Sequence, residues 1–171
     1  MAASGLGIGT PLGNDPQAVF QARIDLAKAK IKRNASWFDL IAVFSVVNSV
    51  ILLANGGWHF LIGLGITEVI TVLSREGQGA VIGLVLAVIV AAFFWGMGHL
   101  TKKGQMWALI LGIIFYVLDA GILIWLQDWL SVAFHAYALF RLSQAFSGIK
   151  DLETAQQAAQ TSGLFPVQPI G

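Results

Sequence analysis

The sequence predicts an all-α integral membrane protein: a bundle of five membrane-embedded helices, of which four or five cross the bilayer, preceded by an N-terminal amphipathic helix. Of the 171 residues, 57% are hydrophobic and 11% are charged, which is about half the charged share of a soluble domain. Residues 106–129 form an apolar run with tryptophans near both ends. About twenty helical residues match the ~30 Å hydrocarbon core of a bilayer, so this run predicts a membrane-spanning helix.

The chain divides into an N-terminal region (1–34), a transmembrane domain (35–147) and a soluble C-terminal tail (148–171). Asp15 and Pro16 favour a helix start, because an acid caps the first turn and proline fits its first position. One face of this helix is apolar, and its basic residues lie largely elsewhere: Arg23, Lys28, Lys30, Lys32 and Arg33. We expect it either to lie flat on an anionic membrane surface or to be solvated, with the N-terminus in the cytoplasm in both cases.

The predicted membrane helices cover residues 37–54, 58–74, 80–98, 106–129 and 130–146. The second is borderline in length for crossing a bilayer. The third has a small residue at every fourth position, a pattern that lets a second helix approach closely. These packing positions are Gly79, Gly83, Ala87 and Ala91. A short helix over residues 151–160, ended by Gly163, is expected in the tail.

The topology depends on whether the second helix crosses. If it re-enters on its own side or lies at the surface, Lys102, Lys103, Arg141 and Lys150 all lie in the cytoplasm. Arg75 alone then lies outside, as the positive-inside rule prefers.

Shifted by 71 positions, Asn48 lies over Asp119 and Trp58 lies over Trp129. This likeness indicates either an internal duplication or chance, since membrane segments use few residue types, and a duplication favours five crossings. A five-crossing chain built from such a duplication has inverted repeats, as some transporters do. We therefore expect five membrane-embedded helices and leave the crossing of the second open.

Asp119 is the clearest polar group at membrane depth, where a charged residue costs roughly 2.5–3.5 kcal/mol. A hairpin about Gln127 and Asp128 brings position 119 level with 135 or 136. Asp119 and His135 are therefore expected to face each other. Such a pair can hold or pass a proton, or it can lock two helices together as a satisfied polar pair.

Three further polar residues complete a candidate intramembrane network with Asp119 and His135. Glu68, on the short second segment, is interpreted as an ion or solute contact, or as an acid near the interface or paired with Arg141. Asn48 is expected to make an interhelical hydrogen bond. The long side chain of Arg141 is expected to reach the cytoplasmic headgroups.

No pattern in the sequence predicts catalysis, a metal or a cofactor. The three histidines lie on different segments, and none has the spacing of a metal site. A net charge of +1 offers no broad basic surface, so nucleic acid is not an expected partner. With no cysteine, the chain carries neither disulfides nor thiol chemistry.

Four short motifs within residues 36–146 resemble those of small multi-pass bacterial membrane proteins of uncharacterised function. The resemblance implies a bacterial inner-membrane location and transfers no activity. The motifs are Asn48-Ser49, Trp58 with Gly63-Leu64-Gly65-Ile66-Thr67, Trp107 with Tyr116-Val117-Leu118-Asp119, and Trp129 with Phe134-His135.

These features favour a non-enzymatic integral membrane protein that acts as a small structural or accessory subunit of a membrane complex. The alternative is a small ion, proton or solute transporter or channel that uses the intramembrane acid and histidine residues. The expected partners are the lipid bilayer and either other membrane subunits or further copies of the chain.

Overall fold

The computed structural model describes residues 15–54, 65, 66, 69 and 79–163. These residues form four long helices: α1 (Pro16–Leu53), α2 (Gly79–Lys102), α3 (Met106–Trp125) and α4 (Trp129–Thr161). The all-α prediction is confirmed for this part of the chain. Three helices are long and apolar enough to cross a membrane, α1, α2 and α3. α4 is not one of them, because the predicted 130–146 segment also carries His135 and Arg141.

The helices pack as an antiparallel four-helix bundle. Phe38 of α1 lies against Phe94 of α2, with ring centroids 6.2 Å apart, and Phe93 of α2 lies 5.1 Å from Phe115 of α3. α4 closes the bundle by packing against both α3 and α1. Each helix therefore runs antiparallel to its two neighbours, and α1 and α3 run in the same direction.

The N-terminal region differs from the prediction of a separate helix lying on the bilayer surface. α1 is one continuous helix of 38 residues, which at ~1.5 Å per residue is about 57 Å long. Its leader residues Ala27 and Ile31 are buried and pack against α4 rather than facing lipid. The same buried spacing of three and four residues continues through Phe38 to Ile41, so no break separates leader and span.

The C-terminal region differs in the same way. α4 runs unbroken from Trp129 to Thr161, across the predicted boundary at 147/148, instead of ending in a separate tail helix. Gly148 allows close packing on α1, because a Cβ there would lie 2.9 Å from Ile31 Cγ1. Beyond this contact, residues 16–30 of α1 and 150–161 of α4 form a two-helix unit, which we term the helical extension. Gly163, with a positive φ of 67°, follows α4, as the sequence predicts.

α1 ends and α2 begins at the same end of the bundle, because the two helices are antiparallel. Between them, the described residues Gly65 and Ile66 contact Asp119 inside the bundle. α1 and α3 are parallel, so they do not show the inverted relation expected of a five-crossing duplication. Apart from residues 65, 66 and 69, the predicted 58–74 helix lies outside the described residues, as do residues 1–14 and 164–171. A fifth membrane helix is therefore not part of the described fold.

Candidate functional site

The interior polar site centres on Asp119 of α3 and His135 of α4. The two helices form a hairpin whose turn contains Gln127 at a φ of 59°. Asp128 caps α4, because its Oδ1 accepts the backbone N–H of Ser131 at 3.1 Å. The hairpin brings His135 Nε2 to 2.9 Å from Asp119 Oδ2, the contact that the spacing predicts. Asp119 is 3% exposed and His135 is fully buried.

Two backbone groups complete the binding of the Asp119 carboxyl group. The N–H of Gly65 donates to Oδ2 at 2.9 Å, and the N–H of Ile66 donates to Oδ1 at 2.8 Å. Both donors belong to residues in helical conformation, and adjacent helical N–H groups favour a carboxylate because their dipoles point towards it. Asp119 therefore joins three parts of the chain: α3, α4 and the Gly65–Ile66 segment.

The hydrogen bonds fix how many protons the Asp119–His135 pair carries. His135 Nδ1 lies 2.9 Å from the carbonyl oxygen of Ser131. A carbonyl oxygen only accepts, so Nδ1 must carry a proton. The bond between Nε2 and Asp119 Oδ2 needs one more proton, on either atom. The pair is thus neutral overall, either as an imidazolium with a carboxylate or as a neutral imidazole with a carboxylic acid.

Tyr116 forms one wall of the site. Its ring stacks on the His135 imidazole, with centroids 4.3 Å apart and planes 15° from parallel, and it makes an edge-to-face contact with Phe94 at 6.1 Å between centroids. The ring is fully buried. Within the described part of the chain, its hydroxyl oxygen has no hydrogen-bond partner. Stacking therefore fixes the orientation of His135, while the hydroxyl group adds a polar atom that no other described group satisfies.

An apolar cavity of about 350 Å³ adjoins the site between α2 and α3. Asp119 and Ile66 border it, and the other described lining residues are aliphatic and aromatic, Phe93, Phe115 and Leu118 among them. Among the described residues, Asp119 is therefore the polar group that this cavity reaches.

The other members of the predicted network are Asn48 of α1, Arg141 of α4 and Glu68. Asn48 is buried on α1 beside Ser45 and Ser49, whose hydroxyls donate to carbonyl oxygens one turn earlier. Arg141 lies six residues beyond His135 on α4, about 9 Å along the axis. Its Nε is buried and has no hydrogen-bond partner among the described groups. Glu68 lies outside the described residues, so its predicted pairing with Arg141 stays a prediction.

The predicted helix-packing residues lie on α2, and the predicted basic membrane-surface residues lie on α1. On α2, which begins at Gly79, the positions Gly83, Ala87 and Ala91 are buried. Lys30 is bound to Asp151 of α4 at 2.8 Å. The other four basic residues of the leader are exposed: Arg23, Lys28, Lys32 and Arg33.

The sequence alone did not assign Gly65, Ile66, Tyr116 or Ser131 to the site. The donors of Gly65 and Ile66 are backbone groups, which no residue type reveals. Tyr116 was predictable as a neighbour, because it precedes Asp119 by three residues and so lies on the same helix face. The carbonyl oxygen of Ser131 accepts from His135. Ser131 lies one helical turn before His135 on α4, so helical spacing also predicts it as a neighbour.

Comparison of the chain with protein families, with curated proteins and with solved structures found no match.

Proposed function

We propose that this chain is a non-enzymatic integral membrane protein that acts as a structural or accessory subunit of a membrane complex. The observation that carries the proposal is the saturation of the Asp119–His135 site. The carboxyl group accepts hydrogen bonds from Gly65 and Ile66 and shares a third with His135, and both ring nitrogens of His135 are bonded. A polar pair satisfied in this way stabilises helix packing, because separating it would leave buried groups without partners.

The proposed location is a bacterial inner membrane with the N-terminus in the cytoplasm. All described cations except Arg141 lie at the end of the bundle that carries the helical extension: Arg23, Lys28, Lys30, Lys32, Arg33, Lys102, Lys103 and Lys150. The opposite end, around the α3–α4 turn, has no described lysine or arginine. The positive-inside rule assigns the cationic end to the cytoplasm.

Native mass measurement after mild detergent extraction tests the accessory role. We expect complexes that contain the chain and a foreign membrane subunit in a fixed ratio, present in replicate preparations and absent from a control strain lacking the tagged chain. A preparation that contains only this polypeptide, as a monomer or an oligomer, contradicts the accessory role.

A proton transporter is the second candidate, because the pair shares one exchangeable proton and Asp119 borders the ≈ 350 Å³ cavity. Purified protein in liposomes containing a pH-sensitive dye separates the two candidates. Under an imposed potassium diffusion potential, a structural subunit leaves the rate of acidification equal to that of protein-free liposomes. A faster rate that disappears in a folded Asp119→Asn variant would instead establish transport.

A further inference from the structure

An apolar groove of about 420 Å³ lies on the outer surface between α1 and α2. Its described lining consists of alanine and valine side chains and the indole of Trp95. The groove extends about 10 Å along α2, from Val88 to Trp95, and Trp95 lies at the end nearer the α2–α3 turn. Hydrocarbon can fill such a groove without leaving a polar group unpaired.

The register of α1 and α2 is fixed at the level just beyond Trp95. Asp39 of α1 forms an ion pair with Lys102 of α2. On the same side of α2, a Cβ at Gly98 would lie 3.5 Å from the carbonyl oxygen of Ala35. Because the two helices are antiparallel, a residue of α1 that precedes position 35 by one turn lies level with the last turn of α2.

Three lysines lie together at this level, and we term them the lysine cluster: Lys32, Lys102 and Lys103. Lys32 precedes Asp39 by two turns and so lies on the same side of α1. Lys32 and Lys103 are exposed. Lys102 has three ammonium donors and gives one to Asp39. Within the described part of the chain, the cluster therefore keeps an excess of positive charge that an anion can neutralise.

Two stacked rings lie between the lysine cluster and the groove. The His99 imidazole lies on the Trp95 indole, with centroids 6.0 Å apart and planes 22° from parallel, and both side chains are exposed. Each ring has an N–H donor, and such amphipathic rings favour the level of the lipid headgroups. Along this surface, ammonium groups are followed by ring donors and then by hydrocarbon. A phospholipid presents the matching order of phosphate, ester groups and acyl chain.

We propose that this surface binds a phospholipid with an anionic headgroup, whose phosphate lies in the lysine cluster and whose acyl chain occupies the groove. Seven residues separate Trp95 from Lys102, about 10 Å along the axis. This places the ammonium groups in the headgroup layer when the indole lies at its inner edge. Basic pockets between membrane helices bind anionic headgroups for the same electrostatic reason.

The site rests on the integral-membrane part of the proposed function and not on the accessory role. A bound phospholipid and a foreign subunit add very different masses to the chain. Failure of the lipid site and failure of the accessory role are therefore distinguished in one native mass measurement.

Native mass measurement of the purified full chain in detergent tests the site with two lipids that share the same acyl chains. Phosphatidylglycerol is anionic, and phosphatidylcholine is zwitterionic. With both at equal concentration, we expect the complex with one phosphatidylglycerol to be at least about fivefold more abundant than the complex with one phosphatidylcholine. Equal abundance would overturn the proposal, because the lysine cluster would then not select an anionic headgroup.

A paired charge substitution locates the headgroup. Lys32→Gln with Lys103→Gln removes two exposed cations and keeps the ion pair of Lys102. We expect the preference for phosphatidylglycerol to fall by at least about threefold. The matched control, Arg23→Gln with Lys150→Gln, removes the same charge from exposed positions on the helical extension and should keep the preference. An unchanged preference in the first variant, or an equal fall in both, would contradict a headgroup site in the lysine cluster.

A substitution in the groove locates the acyl chain. Ala92 is exposed on the groove wall, so Ala92→Phe should fill part of the groove and lower the yield of lipid complexes severalfold. Val117→Phe, on the exposed surface of α3, is the control and should keep that yield. Undiminished binding by Ala92→Phe would contradict the groove site. Lipid binding that occurs only after a foreign subunit has dissociated would also overturn the proposal, because a protein would then cover the groove.

Discussion

The carboxyl group of Asp119 meets a set of donors that an amide cannot satisfy. Oδ2 accepts the backbone N–H of Gly65 and shares a hydrogen bond with His135 Nε2, while Oδ1 accepts the backbone N–H of Ile66. An asparagine has one oxygen, so its NH₂ group must face one of the two backbone N–H groups. The positions of the two backbone N–H donors therefore explain why a carboxyl group, rather than an amide, occupies this position. The proton that it shares with His135 is a second reason.

Asp119→Asn should lower the free energy of unfolding by about 1–3 kcal/mol, because one buried backbone N–H loses its acceptor. Thermal unfolding in detergent, followed by tryptophan fluorescence, measures the change. Asp15→Asn is the matched control, since Asp15 caps exposed N–H groups of α1 and asparagine caps equally well. Equal melting temperatures for both variants would mean that the Gly65 and Ile66 contacts do not stabilise the fold.

Tyr116→Phe should leave the stability unchanged or raise it, by up to about 1–3 kcal/mol. The substitution keeps the ring that stacks on His135 and removes a buried hydroxyl that has no described partner. Tyr137→Phe, at an exposed position that also carries an aromatic contact, is the control. A clear loss of stability only in Tyr116→Phe would reveal a hydrogen-bonding partner of the hydroxyl group.

The contact between the two side chains of the site could be read from the sequence, but the complete site could not. Helical rise and a turn at Gln127 and Asp128 are enough to place Asp119 level with His135. The Gly65 and Ile66 donors are 54 and 53 residues from Asp119, and they are backbone groups. No side-chain pattern encodes such a contact.

Within a single element, two glycines of α2 differ in how closely other atoms pack around them. A Cβ at Gly98 would lie 2.8 Å from Phe38 Cβ and 3.2 Å from Asp39 Oδ1. A Cβ at Gly96 would have no neighbour within 4 Å in the part of the chain that the structure describes. The side of α2 that carries Gly98 therefore needs glycine in order to approach α1, whereas the side that carries Gly96 does not.

Gly98→Ala should reduce stability by about 1–3 kcal/mol, because α1 and α2 must move apart. Gly96→Ala should be neutral or stabilising by up to ~1 kcal/mol through its helix propensity. Parallel thermal unfolding of the two variants gives the comparison. If Gly98→Ala were as stable as the natural protein, the close approach of α1 and α2 would not limit packing.

The lengths of α1 and α4 show where sequence reasoning stopped short. The apolar spacing of Ala27 and Ile31 predicts a lipid-facing side, because the residues of α4 that cover it have the composition of a soluble tail. Ala155 and Ala159 are buried on that surface and are too small to give a strong amphipathic signal. Composition separates apolar from polar stretches, yet it does not show that two polar-looking stretches pack against each other.

For the whole molecule, charge and hydrophobic length lead to the same orientation. α1 is about 57 Å long, whereas the hydrocarbon core is ~30 Å thick. Roughly half of α1 must therefore leave the membrane. Residues 16–33 make up most of that half, and they carry five of the nine described lysines and arginines: Arg23, Lys28, Lys30, Lys32 and Arg33. The α2–α3 turn near Lys102 and Lys103 lies at the same end, and the α3–α4 turn lies at the other.

Cysteine labelling with a membrane-impermeant maleimide tests this arrangement most directly. Single substitutions Lys28→Cys on the extension, Gln105→Cys in the α2–α3 turn and Gln127→Cys in the α3–α4 turn introduce unique thiols, because the chain has none. In intact cells we expect labelling of Gln127→Cys alone, with the other two reacting only after permeabilisation. Labelling of Gln105→Cys and Gln127→Cys from the same side would contradict a membrane-spanning α3, and with it the entire account.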